Sequence, residues 1–556
     1  MRLSAPHRPA ALVVSLLTAV ALWLGAGPAL AYTAAVNVTA TPVSAARPGD
    51  FLGLALTYGE LPKWMPASGP IDQVLVRLIR NLTPVGRPSL RIGGESADRS
   101  WWPIPGVKRP PGINNDLGPN VAAAIHRTAT ATNAQLLLGL ELEADIPRLD
   151  AVESEQLLAR IGSRYIQAFE IGNEPDLYTV IPWYKVLNGQ PIPWYSKVGT
   201  PVYARAQPYT PAQFATDVAA VLGAIPKYPI AGPETGIESW LQAFSRFLAP
   251  AGPVTVVTSH AYGVDQCIKQ KSLSRYPTVP NLVSLIASRT DVHINPADIT
   301  LAHLHGARYR IDELGAVTCG GPKDVSETMA TALWAVDALF DADSQGIDGV
   351  NLHSNSKLNQ LFSIAYRHGH WVATVEPIYL GAMLFAQADP AGSRLLGVDG
   401  GSSPSLRVWA TESSDHDVRI TVINDSLSQA AQVRLHVPAT VGHAAATVER
   451  LEAAGDRGAY ATSGITLGGQ AFQTTTTGQL PRPRLQTTAV RGGTLTVDVP
   501  KGSVALVTLD AQPASAGGRA AQPASARGRS AATSSHGRVL TTASGPSHAR
   551  RAVAIP

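Results

Sequence analysis

IQAFEIGNEPD, running from Ile166 to Asp176, is the stretch on which the fold turns. Its first residues are apolar without strict alternation, as in a parallel strand covered on both faces. Asn173, Glu174 and Pro175 then break the strand, and they leave a carboxyl group and a neighbouring amide at its C-terminal end. In a barrel of parallel strands that end is the active-site face.

Seven further runs of the same kind flank it. They are FLGLAL (Phe51–Leu56), SLRI (Ser89–Ile92), QLLLGL (Gln135–Leu140), PIAG (Pro229–Gly232), TVVTS (Thr255–Ser259), ARYRI (Ala307–Ile311) and GVNL (Gly349–Leu352). Between them lie amphipathic segments, clearest in IDQVLVRLIRNL, PAQFATDVAAVLGAI, GIESWLQAFSRFL and ETMATALWAVDALFDA. Eight βα units predict an α/β fold, a (β/α)8 TIM barrel over residues 49–372. A doubly wound sheet competes, but no Gly-x-Gly-x-x-Gly follows the first strand. After about Pro390 the pattern changes to short alternating strands with turn signals, which predicts an antiparallel β-sandwich domain over 373–510. VNVTATP (Val36–Pro42), inside an N-terminal segment 32–48, alternates in the same way and is expected to complete that sandwich.

The ends of the 556-residue chain read differently. Residues 1–31 combine Arg2 and Arg8, an uncharged run from Ala11 to Leu24 and the small-x-small site Ala29-Leu30-Ala31. This is the pattern of an export signal cleaved after Ala31. The apolar run is short for a bilayer, which needs about 20 residues. The chain is therefore expected to be secreted, with no membrane span. Residues 511–556 contain six Arg, no acid and the near-repeat AQPASAGGRA/AQPASARGRS, the composition of a disordered basic tail. The formal net charge of +4 resides in the two ends, and the body between them is acidic, which gives no reason to expect a nucleic-acid partner. Apolar residues make up 45% of the chain, enough for an ordinary core. The two cysteines, Cys267 and Cys319, follow the sixth and seventh strands, which are neighbours in a barrel. In an exported chain such a pair predicts one disulfide, the alternative being two buried thiols.

The chemistry is expected at the strand ends. Glu174 is the first carboxyl group, with Asn173 positioned to hydrogen-bond a sugar hydroxyl. RYRIDELG offers the second as Glu313, with Asp312 beside it; alternation along a strand allows only one of the two to face the mouth. In LRIGGESADRSWWP (Leu90–Pro103), Arg91 can hold a carboxylate ionised, Glu95 is a further candidate for the substrate, and Trp101 and Trp102 offer faces for a sugar ring or else serve the core. In TSHAYG (Thr258–Gly263), His260 and Tyr262 share a face, and Tyr262 can donate to the nucleophilic carboxylate. HLHG (His303–Gly306) has metal-like spacing without a third ligand, so neither a metal nor another cofactor is expected.

Taken in their order and spacing, FLGLAL, LRIGGESADRSWW, EIGNEPD, SHAY, RIDELG, GVNLHSN and the terminal β domain resemble glycoside hydrolase family 79, the family of heparanase and microbial β-glucuronidases. The resemblance covers roughly residues 33–510. It implies that Glu174 is the acid/base, Glu313 the nucleophile, Asn173 the residue that binds the sugar 2-hydroxyl and Tyr262 the tyrosine beside the nucleophile. It also implies that backbone amides at Gly320 and Gly321 receive a carboxylate. Two positions depart from the family: Thr57 stands where an acidic residue contacts the terminal sugar, and Leu361 where a tyrosine helps to hold the uronate. The expected activity is a secreted retaining β-glycosidase, β-glucuronidase-like, acting on a carbohydrate or glycoside substrate. A neutral-sugar exo-β-glycosidase, a non-catalytic sugar-binding barrel and a cell-wall structural protein are the alternatives. The oligomeric state is not legible from these residues.

Overall fold

Eight short runs whose side chains are buried on both faces have only one stable arrangement, a sheet closed on itself with helices outside. The computed structural model of the chain shows this. It describes residues 32–511 apart from 249–252, 291, 355–359, 402 and 439–444; the signal segment and the basic tail lie outside the described residues. The barrel strands are Leu52–Leu56, Ser89–Ile92, Gln135–Leu140, Ile166–Ile171, Ile230–Thr235, Val254–Asp265, Arg308–Thr318 and Gly349–His353, and they close in sequence order. The eighth pairs in parallel with the first through Val350↔Leu52 and Leu352↔Leu54.

The helices form where their caps and apolar stripes permit. Asp72 accepts hydrogen bonds from the Val74 and Leu75 amides at the head of Gln73–Leu82, a helix that buries Val74, Leu75, Leu78, Ile79 and Leu82. Thr210 and Gln213 close a capping box on Pro211–Ala224. The helix Pro377–Ala388 packs against Met329–Ser344 and Gln73–Leu82, as the eighth outer helix of the barrel. It lies beyond residue 372, where the sequence pattern placed the barrel's end.

The C-terminal strands form one sheet that folds over a core of its own, built from Val36, Ile420, Val433, Leu435, Val499 and Val507 among others. The N-terminal strand Tyr32–Pro42 sits inside this sheet, antiparallel to Arg394–Gly400 and parallel to Ala431–His436. The alternating burial of Ala34, Val36 and Val38 explains why this strand read as a sandwich strand. Trp409 donates to Asp337 at 2.9 Å and Arg407 pairs with it at 2.8 Å, tying the sheet to the barrel helix Met329–Ser344.

Cys267 and Cys319 form a disulfide, with Cα atoms 5.5 Å apart across a separation of 52 residues. It joins the loops after the sixth and seventh barrel strands. In the chain-entropy account a loop of this size stabilises by roughly 4 kcal/mol. Among the described residues no helix is long and apolar enough to cross a membrane.

Candidate active site

Arg91, on the second barrel strand, is 1% exposed and reaches across the barrel mouth. Its Nη1 donates to Glu313 at 2.6 Å, its Nη2 to Asn173 at 2.8 Å and to Glu234, and its Nε to Glu170 at 3.0 Å. Asp312 lies 3.6 Å from the same Nε. One guanidinium thus gathers groups from the fourth, fifth and seventh strands, a task for which its planar fork of donors is suited.

Glu174 and Glu313 stand together at the centre, with one carboxylate oxygen of each, and a ring nitrogen of His260, all within 4.8 Å of one another. Glu174 has the left-handed φ of 48°. Its amide is bonded to the Glu234 carbonyl at 2.8 Å. A non-glycine residue held there costs on the order of 1–3 kcal/mol, and such strain clusters at functional sites. His260 Nδ1 lies 3.0 Å from Glu174 Oε1. Tyr262 donates its hydroxyl to Glu313 Oε1 and lies 2.7 Å from His353 Nδ1, which is itself 2.8 Å from Glu313.

These neighbours set the charges. Burial works against ionisation of Glu313, but His353, His260 and Arg91 outweigh it and hold its carboxyl well below the usual carboxylate range. Burial likewise opposes charge on His260, and the carboxylates of Glu313 and Asp312 outweigh it, raising the imidazole well above its ordinary value. Beneath them, burial and the charge of Glu234 push Glu170 up to about 8. The site therefore holds Glu313 firmly ionised, with a cationic His260 against Glu174. The oxygens and nitrogens of Glu234, His260 and Asp312 also cluster within 4.8 Å, but Arg91 already places a positive charge among them, where a cation would otherwise sit.

The structure brings Glu174, Glu313, Asn173, Arg91, His260 and Tyr262 together. It does not bring Glu95 to them: that side chain is half exposed and pairs with Arg99 at 2.9 Å. Gly320 and Gly321 lie half-buried after the seventh strand, next to the disulfide, and Gly320 has φ 122°. Trp101 and Trp102 are core residues; Trp101 donates to Asp116 at 2.8 Å, and neither presents a free face to a sugar. Asp312 and Glu313 both approach Arg91, contrary to simple alternation. The pairing steps from Ser259↔Ile311 to His260↔Glu313, so Asp312 is the extra residue of a bulge.

Glu234, Glu170 and His353 were not singled out from the sequence. Glu234 lies beyond the PIAG run, on a strand that continues through Pro233, Glu234 and Thr235. Its carboxylate is fully buried, accepts from Thr258 at 2.9 Å, and is held below its ordinary value by Arg91 and His260 against the effect of burial. An acid at the end of a barrel strand was the signal available for it.

A second set of buried acids flanks the site. Asp98 accepts from the Asn173 amide at 2.9 Å and the Tyr178 hydroxyl at 2.9 Å, and burial pushes it up to about 6. Around it, Glu141, Glu143, Asp150 and Glu153 are raised well above the carboxylate range, chiefly by burial and then by Asp98 and Asp150. In the unfolded chain these groups release their protons near pH 4, at about 3.9 for Asp and 4.3 for Glu. Their contribution to stability is complete below that pH and is lost as pH rises toward the folded values. His260 adds to the same trend, complete below its unfolded value of about 6.5 and lost above it. Glu313 and Glu234 act in the opposite sense, losing their contribution as pH falls below about 4.3. The melting temperature is expected to peak near pH ~5 and to fall toward pH ~8, each retained proton costing about 1.4 kcal/mol per pH unit. Glu153→Gln, which mimics the protonated acid, should flatten that slope by about one proton. A melting temperature that is level or rises between these pH values would contradict the assignment.

A closed parallel barrel with carboxyl groups on its strand ends, joined to a β domain, is an architecture of sugar-cleaving enzymes, and the comparisons with known proteins give the class directly. Residues 406–506 match the glycosyl hydrolase family 79 C-terminal beta domain. The chain is a glycoside hydrolase carrying that family's β domain, the same family that its barrel motifs resemble. Among solved structures, a 4-O-α-L-rhamnosyl-β-D-glucuronidase from Fusarium oxysporum 12S superposes with TM-score 0.64 at 18% identity, over 85% of this chain and 100% of that one. A family 51 arabinofuranosidase from Xanthomonas axonopodis pv. citri does so with TM-score 0.57 at 15% identity, over 86% and 100%. A bifunctional glucanase-xylanase from a metagenome library gives 0.55 at 12% identity, over 86% and 99%. At these identities the likeness is one of fold. No curated protein matches the chain.

Proposed function

We propose that the chain is a secreted retaining β-glycosidase acting on terminal β-glucuronides, with Glu313 as nucleophile and Glu174 as acid/base. The observation that carries this reading is the approach of the Glu174 and Glu313 carboxylate oxygens to within 4.8 Å. Retaining pairs sit ~5–5.5 Å apart, and inverting pairs ~6.5–9.5 Å apart to admit a water. Here Glu313 attacks the anomeric carbon as Glu174 protonates the leaving oxygen. Glu174 then deprotonates the water that releases the sugar. Arg91, His353 and Tyr262 keep the nucleophile ionised and aimed. The Fusarium neighbour, named as a rhamnosyl-glucuronidase, and the family 79 β domain support the choice of a glucuronide.

A neutral sugar is the second reading. Leu361 is wholly buried and offers no hydroxyl to a uronate, and Thr57 carries no charge. One experiment separates the two: the mature protein is given 4-nitrophenyl β-glucuronide, β-glucoside, β-galactoside and β-xyloside, and the first-formed anomer is read by NMR. Turnover of the glucuronide with β-product is expected. Turnover of a neutral glycoside alone replaces the sugar, and α-product overturns the mechanism.

A further inference from the structure

The loop after the second barrel strand and the long insertion after the fourth enclose a groove of about 300 Å³ that the two carboxylates do not use. Its walls are Pro110, Trp183, Tyr184, Ile192, Pro193 and Trp194. The insertion is held open by a small antiparallel sheet of Tyr184–Leu187, Gln190–Ile192 and Thr200–Val202. Gly112 lies flat against the Trp183 indole, where a Cβ would stand 2.1 Å from the ring.

Three contacts join this groove to the reacting centre. The insertion begins at Glu174 itself. Asp98, which accepts from the Asn173 amide, also accepts on its carbonyl from Trp183 Nε1 at 3.2 Å. Arg99 bonds the Trp183 carbonyl, pairs with Glu95, and sets its guanidinium 5.3 Å from the centre of the Trp194 ring. Glu95 is in turn adjacent to Gly94, whose Cβ position would lie 3.6 Å from Glu313 Oε2. A chain of contacts through Asp98, Arg99 and Glu95 therefore links the groove wall to the residues around the nucleophile.

We propose that this groove is the leaving-group subsite and that it takes a flat ring, either an aryl aglycone or the apolar face of a sugar. The inference rests on the glycosidase reading above, since an acid that protonates the leaving oxygen must lie on the leaving group's side, and here that side is the insertion that follows Glu174. The lining decides the ligand class. Indole and phenol faces and proline rings present apolar, π-rich surfaces that bind rings by stacking. Arg109 on the rim is paired with Asp116, and Arg99 against Trp194 is paired with Glu95, so neither cation is left spare for an ionic group.

Glu95 and Trp194 thereby receive work that the sequence pattern assigned elsewhere. Glu95 positions Arg99, and half-buried Trp194, not Trp101 or Trp102, supplies the stacking face.

The test compares wild type with Trp194→Ala on three substrates that share the sugar the wild type cleaves: an aryl glycoside, a disaccharide and the glycosyl fluoride, whose leaving group has no ring. Trp194→Ala should lower kcat/KM about tenfold on an aryl glycoside, a disaccharide or both, and leave the fluoride within twofold. The substrate that loses more identifies the ring. Asn114→Phe, which fills the groove from its rim without touching the core, should give the same pattern and serves if the first variant is unstable. Equal losses on all three substrates, or none on either ring-bearing substrate, would overturn the subsite while leaving the glycosidase reading intact. A wild type inactive on every glycoside, the fluoride included, removes that reading and the subsite with it.

Discussion

Glu313→Gln is expected to lower kcat/KM for every substrate by a factor on the order of 10⁴ or more, the scale of loss when a nucleophile is removed. The amide fits the same space and can still meet Tyr262 and Arg91, so the fold should be kept. What it lacks is charge and nucleophilicity. It can neither stabilise the cationic sugar in the first transition state nor form the ester. Because burial opposes the carboxylate's charge but His353, His260 and Arg91 more than offset that cost, the neutral variant should melt below wild type near neutral pH and approach it as pH falls below about 4.3. Glu174→Gln should behave differently. A glycoside with a good leaving group needs little protonation, so its first step survives and the covalent sugar accumulates. Stopped-flow absorbance should show a burst of about one nitrophenolate per site, then slow turnover. Near-normal rates for Glu313→Gln, or the absence of a burst in Glu174→Gln together with an unchanged steady state, would remove both assignments.

The parts of the molecule that were legible in the sequence are those where burial is two-sided or alternating. All eight barrel strands read as apolar runs because parallel strands hide both faces, and Tyr32–Pro42 read as a sandwich strand because its burial alternates. The helix Pro377–Ala388 escaped notice for a related reason. Every residue but Gln387 is buried, so it shows no polar face to mark a helical period. Glu174 and Glu313 were legible because each ends an apolar run. Asp312 was not, because a bulge belongs to the register of two strands and leaves no mark in either sequence. The tryptophans were misassigned for a similar reason: composition cannot tell Trp101, buried with Asp116 and Leu149 against it, from half-buried Trp194, which lines a groove and lies against the Arg99 guanidinium.

Arg91→Met is expected to be the most destabilising single change in the barrel. The guanidinium is the shared partner of Glu170, Glu234, Asp312 and Glu313, all of them buried. Removing one member of a buried ion network leaves uncompensated charge and typically costs about 3–5 kcal/mol. For a chain of this size the melting temperature should fall by roughly 3–5 °C. Arg91→Lys separates charge from shape. It keeps the cation and should recover much of the stability, but an ammonium cannot span from Glu170 to Asn173 and Glu313 as the fork does. Asn173 and the nucleophile then drift relative to each other, and a misplacement of ~1 Å is worth about 10² in rate. A purely structural arginine would show the same stability pattern, so the deciding measurement is the pH profile of kcat/KM. Burial works to raise Glu313, while His353, His260 and Arg91 hold it down. Weakening the Arg91 contact lets that carboxyl rise, so the acid limb of the profile should move to higher pH in Arg91→Lys. An acid limb that stays in place while activity falls would mean that Arg91 positions Asn173 without governing the charge of the nucleophile.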